Sequence, residues 1–188
     1  MFFQRSCTQL KALTDFSSFQ FTSRGIAGSS TREVRFISQD EPGIYNLDFI
    51  DLSASGEPLT MIADNGDISK VLSMIILIVE LYTERYPNRT IRFKGETREK
   101  AHLFRVALDM HIEKLLMLFD IALEKQRPLF PLHIHSRESI DNIAFLLKRR
   151  PGPSFSIQAL QATMNSRSLI FGNSVSVELL SDEEVEAE

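Results

Sequence analysis

The sequence predicts an α+β domain in which a mostly antiparallel sheet of about five strands packs against two long helices, with a small C-terminal helix and hairpin extension. Three observations predict it. Apolar residues alternate with polar ones between turn signals in the N-terminal part. Two later segments space their apolar residues three and four apart. A basic run and a Pro/Gly breaker, Lys148-Arg149-Arg150-Pro151-Gly152-Pro153, then mark a boundary.

Residues 1–15 have weak periodicity and are expected to fray, as termini do. Phe16 to Ser38 reads as a hairpin: Phe19 and Phe21 alternate, Arg24-Gly25 and Gly28-Ser29-Ser30 supply turn chemistry, and Val34 and Phe36 resume the alternation. Glu41-Pro42-Gly43 turns the chain into a third strand carrying Ile44, Tyr45, Leu47, Phe49 and Ile50. A short fourth strand is expected around Leu59 to Ile62, after Ser55-Gly56 and Pro58. Asp64-Asn65-Gly66-Asp67 breaks the sheet, and Asp67 is placed to cap the next helix by accepting its first free N–H groups. That helix, Asp67 to Tyr86, has Ile68, Val71, Leu72, Ile75, Ile76, Val79 and Tyr82 at helical spacing. It is apolar nearly all round, so it belongs in the centre of the fold, and Pro87 ends it.

Thr90 to Phe93 is a fifth strand, and Gly95 turns the chain. Thr97 caps a second long helix with an apolar stripe of Ala101, Phe104, Leu108, Ile112, Leu115 and Phe119. Ile121 to Leu123 and Leu129 to His135 read as short extended pieces around Arg127-Pro128. Ser136 opens a short helix carrying Ile140, Ile143, Ala144 and Leu147. Beyond the breaker come a short helical pattern (Ile157, Leu160, Met164) and a terminal hairpin pairing Leu169–Phe171 with Val175–Leu179. The chain thus divides into a 16–150 core, a 151–181 extension and an acidic 182–188 tail.

A chain of 188 residues buries about 70% of its unfolded surface, so its core needs no staples. Hydrophobic content of 43% and charged content of 24% are those of a globular domain. The single cysteine, Cys7, excludes an internal disulfide and a cysteine metal cage, and fits a reducing, cytoplasmic setting. The start lacks the apolar run of a signal peptide, and the Val71–Val79 stretch falls short of the roughly 20 residues that cross a bilayer. No membrane association is expected. The net charge of −4 hides a gradient. Arg85, Arg89, Arg92, Lys94, Arg98, Lys100 and Arg105 face only Glu96 and Glu99 within one segment, whereas the last seven residues carry five acids.

Four blocks resemble an uncharacterised family of small bacterial proteins, a domain of unknown function. They are Phe19-Gln20-Phe21-Thr22-Ser23-Arg24-Gly25 with Gly28; Tyr45-Asn46-Leu47-Asp48-Phe49-Ile50-Asp51; Asn65-Gly66-Asp67 with Val71-Leu72; and Phe93-x-Gly95-x-Thr97 with Leu103-Phe104-Arg105. In the second block the family tends to read Tyr-Asn-Leu-x-Phe-Gly-Asp, so Ile50 stands where a Gly is usual. Lys100-Ala101 falls where the family often carries an Arg. The resemblance spans roughly residues 16–150 and implies a strand-rich N-terminal half followed by helices. It implies no activity.

Three functional readings follow. The first is a non-enzymatic binding module that recognises a protein partner or assembles with itself, since the core pattern is complete and no convergent catalytic set or cofactor motif stands out. Gly-x-Ser-x-Gly, Gly-x-Gly-x-x-Gly and His-Glu-x-x-His are all missing from the sequence. Gly25 to Ser30 lies between strands and not at the start of a helix, so it is a hairpin loop rather than a phosphate loop. The second is a nucleic-acid-binding domain using Arg89, Arg92, Lys94, Arg98 and Arg105, with Tyr86 and Phe93 available to stack on bases. The third is a metal-assisted hydrolase. Asp109 and Glu113 share a face of the second helix with His102 and Arg105, and His133-Ile134-His135 puts two imidazoles on one side of an extended segment. Each feature of the third also has a plain structural role: Arg105 and Asp109 form an i,i+4 pair, and a helix in a globular domain has a polar face anyway.

Overall fold

The computed structural model describes residues 8–26, 28–52, 66–95, 97–124, 144–151 and 175–180. Among them are eight strands and three helices: β1 (Thr8–Leu13), β2 (Ser18–Gly25), β3 (Gly28–Ser38), β4 (Ile44–Asp51), α1 (Ile68–Arg85), β5 (Thr90–Phe93), α2 (Arg98–Met110), α3 (Ile112–Leu118), β6 (Phe119–Leu123), β7 (Phe145–Arg149) and β8 (Val175–Leu180). The fold class is α+β, and all eight strands form one mixed sheet in the order β6-β7-β5-β4-β3-β2-β1-β8.

β1 to β4 make an antiparallel meander, in which Phe19 faces Val34 and Val34 faces Phe49 across the ladders. α1 carries the chain from β4 to β5, which lie parallel, as a helical crossover permits. The strand period of two sends Leu10, Ala12, Phe19, Phe21, Val34, Phe36, Leu47, Phe49, Ile91 and Phe93 to one buried face. α1 is covered on nearly all sides, from Val71 to Thr83 with only Ser73 part-exposed. Ile75-Ile76-Leu77-Ile78-Val79 has the composition of a strand. Burial, worth about 1.5–3 kcal/mol for each large aliphatic side chain, outweighs the few tenths by which β-branching disfavours a helix. No helix of the described residues is long and apolar enough to cross a membrane.

The sheet is larger than the five strands expected, and the differences have physical causes. Residues 8–13 do not fray. They form β1, held antiparallel to β2 on one side and parallel to β8 on the other, with Leu10 and Ala12 buried. β8 covers the second arm of the expected terminal hairpin, and it pairs with β1 from the other end of the sequence, a contact that local patterning cannot reveal. The second long helix is broken in two at His111, whose φ of −119° leaves the helical range. β7 replaces the last part of the helix expected from Ser136. Phe145 and Leu147 alternate into the core, and β5 and β6 pair with β7 from both sides. A short apolar run fits either period, and here tertiary pairing decided it. The expected strand at 59–62, extended piece at 129–135, helix at 157–164 and hairpin arm at 169–171 lie outside the described residues.

The two expected caps behave differently. Thr97 caps α2, accepting a hydrogen bond from the Lys100 backbone N–H at 3.2 Å. Asp67 occupies the N-cap position of α1, but its side chain makes no capping bond. Its carboxylate lies instead 3.5 Å from the buried guanidinium of Arg32.

Candidate functional site

Several cations of the basic segment have partners on neighbouring elements. Arg89 Nη1 donates to the Tyr82 hydroxyl at 2.6 Å, and its guanidinium carbon lies 3.7 Å from the Tyr86 ring centre and 4.4 Å from that of Tyr45. Cation–π contact on several rings holds this arginine against the protein's own surface. Burial pushes the Tyr82 phenol up to about 12, with the hydrogen bond to Arg89 opposing. Arg92 sits between Glu124 at 2.6 Å and Glu41 at 3.2 Å. Lys100 reaches Asp48 at 3.2 Å, and Arg105 lies 4.0 Å from Asp109. Lys94 is exposed just past β5, and Arg98 is the first residue of α2. Arg89, Arg92, Lys100 and Arg105 thus each meet a different ring or carboxylate.

Asp109 and Glu113 fall on opposite sides of the His111 break, one on α2 and one on α3, and His102 is exposed on α2. His133 and His135 lie outside the described residues. Among the described residues no group of three or more His, Cys, Asp or Glu side chains could hold a metal ion.

The break brings up a pair that sequence reasoning missed. His111 Nε2 lies 3.2 Å from Ser73 Oγ on α1. Ser73 spends its only hydroxyl proton on the Ser69 carbonyl at 2.9 Å, so the imidazole must be the donor between them. A nucleophilic serine needs the reverse polarity, with the histidine accepting. The contact is therefore a tether between α1 and the α2–α3 junction. Burial, together with the nearby Lys114 cation, pushes the His111 pKa below its ordinary value, while Glu80 opposes. Lys114 in turn holds the fully buried Glu80 at 2.6 Å.

A second missed cluster lies at the N-terminal end of α1. Arg32, only 2% exposed, points into the core face with Asp51 at 3.6 Å and Asp67 at 3.5 Å. Ser30 Oγ donates to Asp51 at 2.8 Å. Among the described residues Arg32 Nη1, Asp67 Oδ2 and the neighbouring Ser23 Oγ are buried without a hydrogen-bond partner. The signal was present in the sequence: Arg32 has the same parity as Val34 and Phe36, so strand geometry had to turn it inward.

The outer face of the sheet carries a shallow concavity of about 420 Å³ over β8, β1, β2 and β3, with Lys11, Gln20, Glu33 and Arg35 among its walls. Glu33 accepts there from Arg35 at 2.6 Å and from the Ser18 hydroxyl at 2.6 Å, so Glu33 and Arg35 offset one another.

The last candidate is an edge. Among the described residues β6 pairs only with β7. The Glu124 N–H donates to the Ala144 carbonyl and the Arg150 N–H to the Leu118 carbonyl, both at 2.9 Å. The even-numbered residues of β6 therefore bond inward, and the alternation of an antiparallel ladder turns the backbone of Phe119, Ile121 and Leu123 toward the open side. α3 runs directly into this strand and exposes Met117 (71%) and Leu116, while Met110 is exposed at the end of α2.

The sequence model of a family described as "Family of unknown function (DUF6934)" matches residues 6–150. No curated protein matches the chain, and no solved structure does.

Proposed function

Because the chain belongs to DUF6934, a family of unknown function, its role has to be argued from its own residues, and we propose that it is a non-enzymatic interaction module that binds protein through the β6 edge. The observation that carries this reading is the pairing of a strand edge that is open among the described residues with exposed methionine and leucine two and three residues before it. Soluble domains usually protect an edge with charge, proline or a bulge. Here the edge-strand charge, Asp120, is neutralised by Arg150 at 2.9 Å. Backbone groups at an edge supply affinity by strand addition, and adjacent apolar side chains add contact area. A cytoplasmic location belongs to the same reading, since the single cysteine suits a reducing compartment. The nucleic-acid reading draws less support, because Arg89, Arg92 and Arg105 already have partners. The hydrolase reading draws less still, with Asp109 and Glu113 on separate helices.

The test is a photo-crosslinking amino acid placed in cells at position 117, with position 70 on exposed α1 surface as control. Protein adducts should form from 117 and not from 70, and should disappear when Leu123→Pro removes one outward N–H. Adducts that form equally from both positions, or that survive Leu123→Pro, would overturn the reading.

A further inference from the structure

We infer that the occupant of the β6 edge is a second copy of this chain, paired antiparallel about a two-fold axis through Ile121. The inference rests on the β6 interaction reading and names its partner. Centred there, Ile121 meets Ile121 of the partner subunit, and Phe119 meets Leu123 of the partner subunit. Asp120 then faces Ala122 of the partner subunit, so no like charges oppose one another. The core-facing row Phe119, Ile121, Leu123 continues across the junction as the same apolar row.

The backbone fits this arrangement in detail. Two residues whose N–H and C=O groups both point outward form a doubly hydrogen-bonded pair, and Ile121 facing its own copy is such a pair. Leu123 N–H then donates to the Phe119 carbonyl of the partner subunit, and the same bond repeats on the other side of the axis. The one outward-parity N–H that this scheme shares least well is that of Phe119, and it is already donated to the Leu115 carbonyl where α3 ends. The edge therefore offers the donors and acceptors that the two-fold pairing uses, with the Phe119 amide accounted for within its own chain.

The opposite edge of the sheet does not offer this. β8 leads directly into residues 181–188, so copies meeting there would bring together five acidic residues from each chain. At β6 the flanking side chains are apolar. Met117 and Leu116 stand exposed just before the strand in each copy and extend its apolar character toward the two ends of the pairing.

The experiment uses the full chain at increasing concentration, read by light scattering and by amide hydrogen exchange. The expected mass is twice 21.4 kDa, with protection at the Ile121 and Leu123 amides rising with concentration. Protection at Phe119, Asp120 and Ala122 should not change, because those amides are already bonded within one chain. Leu123→Pro should abolish the dimer. Met117→Glu, at a site too exposed to disturb folding, should weaken it about tenfold, because it sets a charge beside the paired strands, where edge charges oppose pairing. A monomer at every concentration, a dimer indifferent to both substitutions, or concentration-dependent protection in β8 instead would overturn the inference. A crosslink from position 117 to a different polypeptide would also overturn it, while leaving the β6 interaction reading intact.

Discussion

Replacing Arg32 with methionine tests the buried charge cluster most sharply. The side chain is 2% exposed, and the carboxylate of Asp67 beside it is fully buried, so the substitution strands a charge in a site that water does not reach. Removing one partner of a buried pair costs about 3–5 kcal/mol. For a chain of this size that corresponds to a fall in melting temperature of about 6–20 °C. The contacts of 3.5 and 3.6 Å are longer than the 2.7–2.9 Å of a strong charge-assisted bond, so the pair does little beyond neutralising itself. Arg32→Met combined with Asp67→Leu should therefore recover most of the loss. The pH dependence gives a second readout. An unpaired buried carboxylate has its pKa raised, so its folded form is favoured when protonated and loses stability as pH rises through that value. The single variant should draw closer to the wild type on acidification, and the double variant should not. Urea denaturation followed by circular dichroism reads all three proteins. If single and double variants are equally unstable at every pH, the loss comes from packing, and the stranded-charge account is wrong.

His111 makes a further prediction on the acid side. Its pKa is lowered in the fold, so its contribution is fully present above the unfolded value of about 6.5 and is lost as pH falls toward the folded value. Melting temperature should decline below that pH, and His111→Gln should flatten this part of the profile. Gly95→Ala should destabilise by about 3 kcal/mol or more, because the added methyl would meet the Ala101 backbone nitrogen at 2.1 Å and neither backbone can yield cheaply. Soluble yield and urea midpoint measure it.

The parts of the fold legible in the sequence are those whose signal is local. α1 declares itself by its spacing, and β2, β3 and β4 by alternation and turns, because each must hide one face or all faces. What failed were features set by distant partners. β1 is too short to show a pattern of its own and exists because β2 and β8 flank it. β7 has an apolar run that either period explains until β5 and β6 are in place. Asp67 follows the rule for a cap, yet a buried guanidinium from another strand offers its carboxylate a stronger electrostatic partner than the helix N–H groups. The same limit applies to the site. Seven basic residues close in sequence do not reveal their partners, whereas strand and helix geometry sends Arg89 onto tyrosines and Arg92 between glutamates. An open edge is likewise invisible in sequence, since it is defined by what does not pair with it.

The parallel pairing of β1 with β8 joins Thr8 to Val175, 167 positions further on. During synthesis the first strand of the meander is made long before its outer neighbour, and its outer flank stays bare until the chain has been extended past Val175. Contacts of such long separation form slowly, and an unsatisfied strand flank is where nascent chains pair wrongly. A shortened product ending before Val175 would leave that flank uncovered for good, so such fragments should clump while the intact protein stays dispersed.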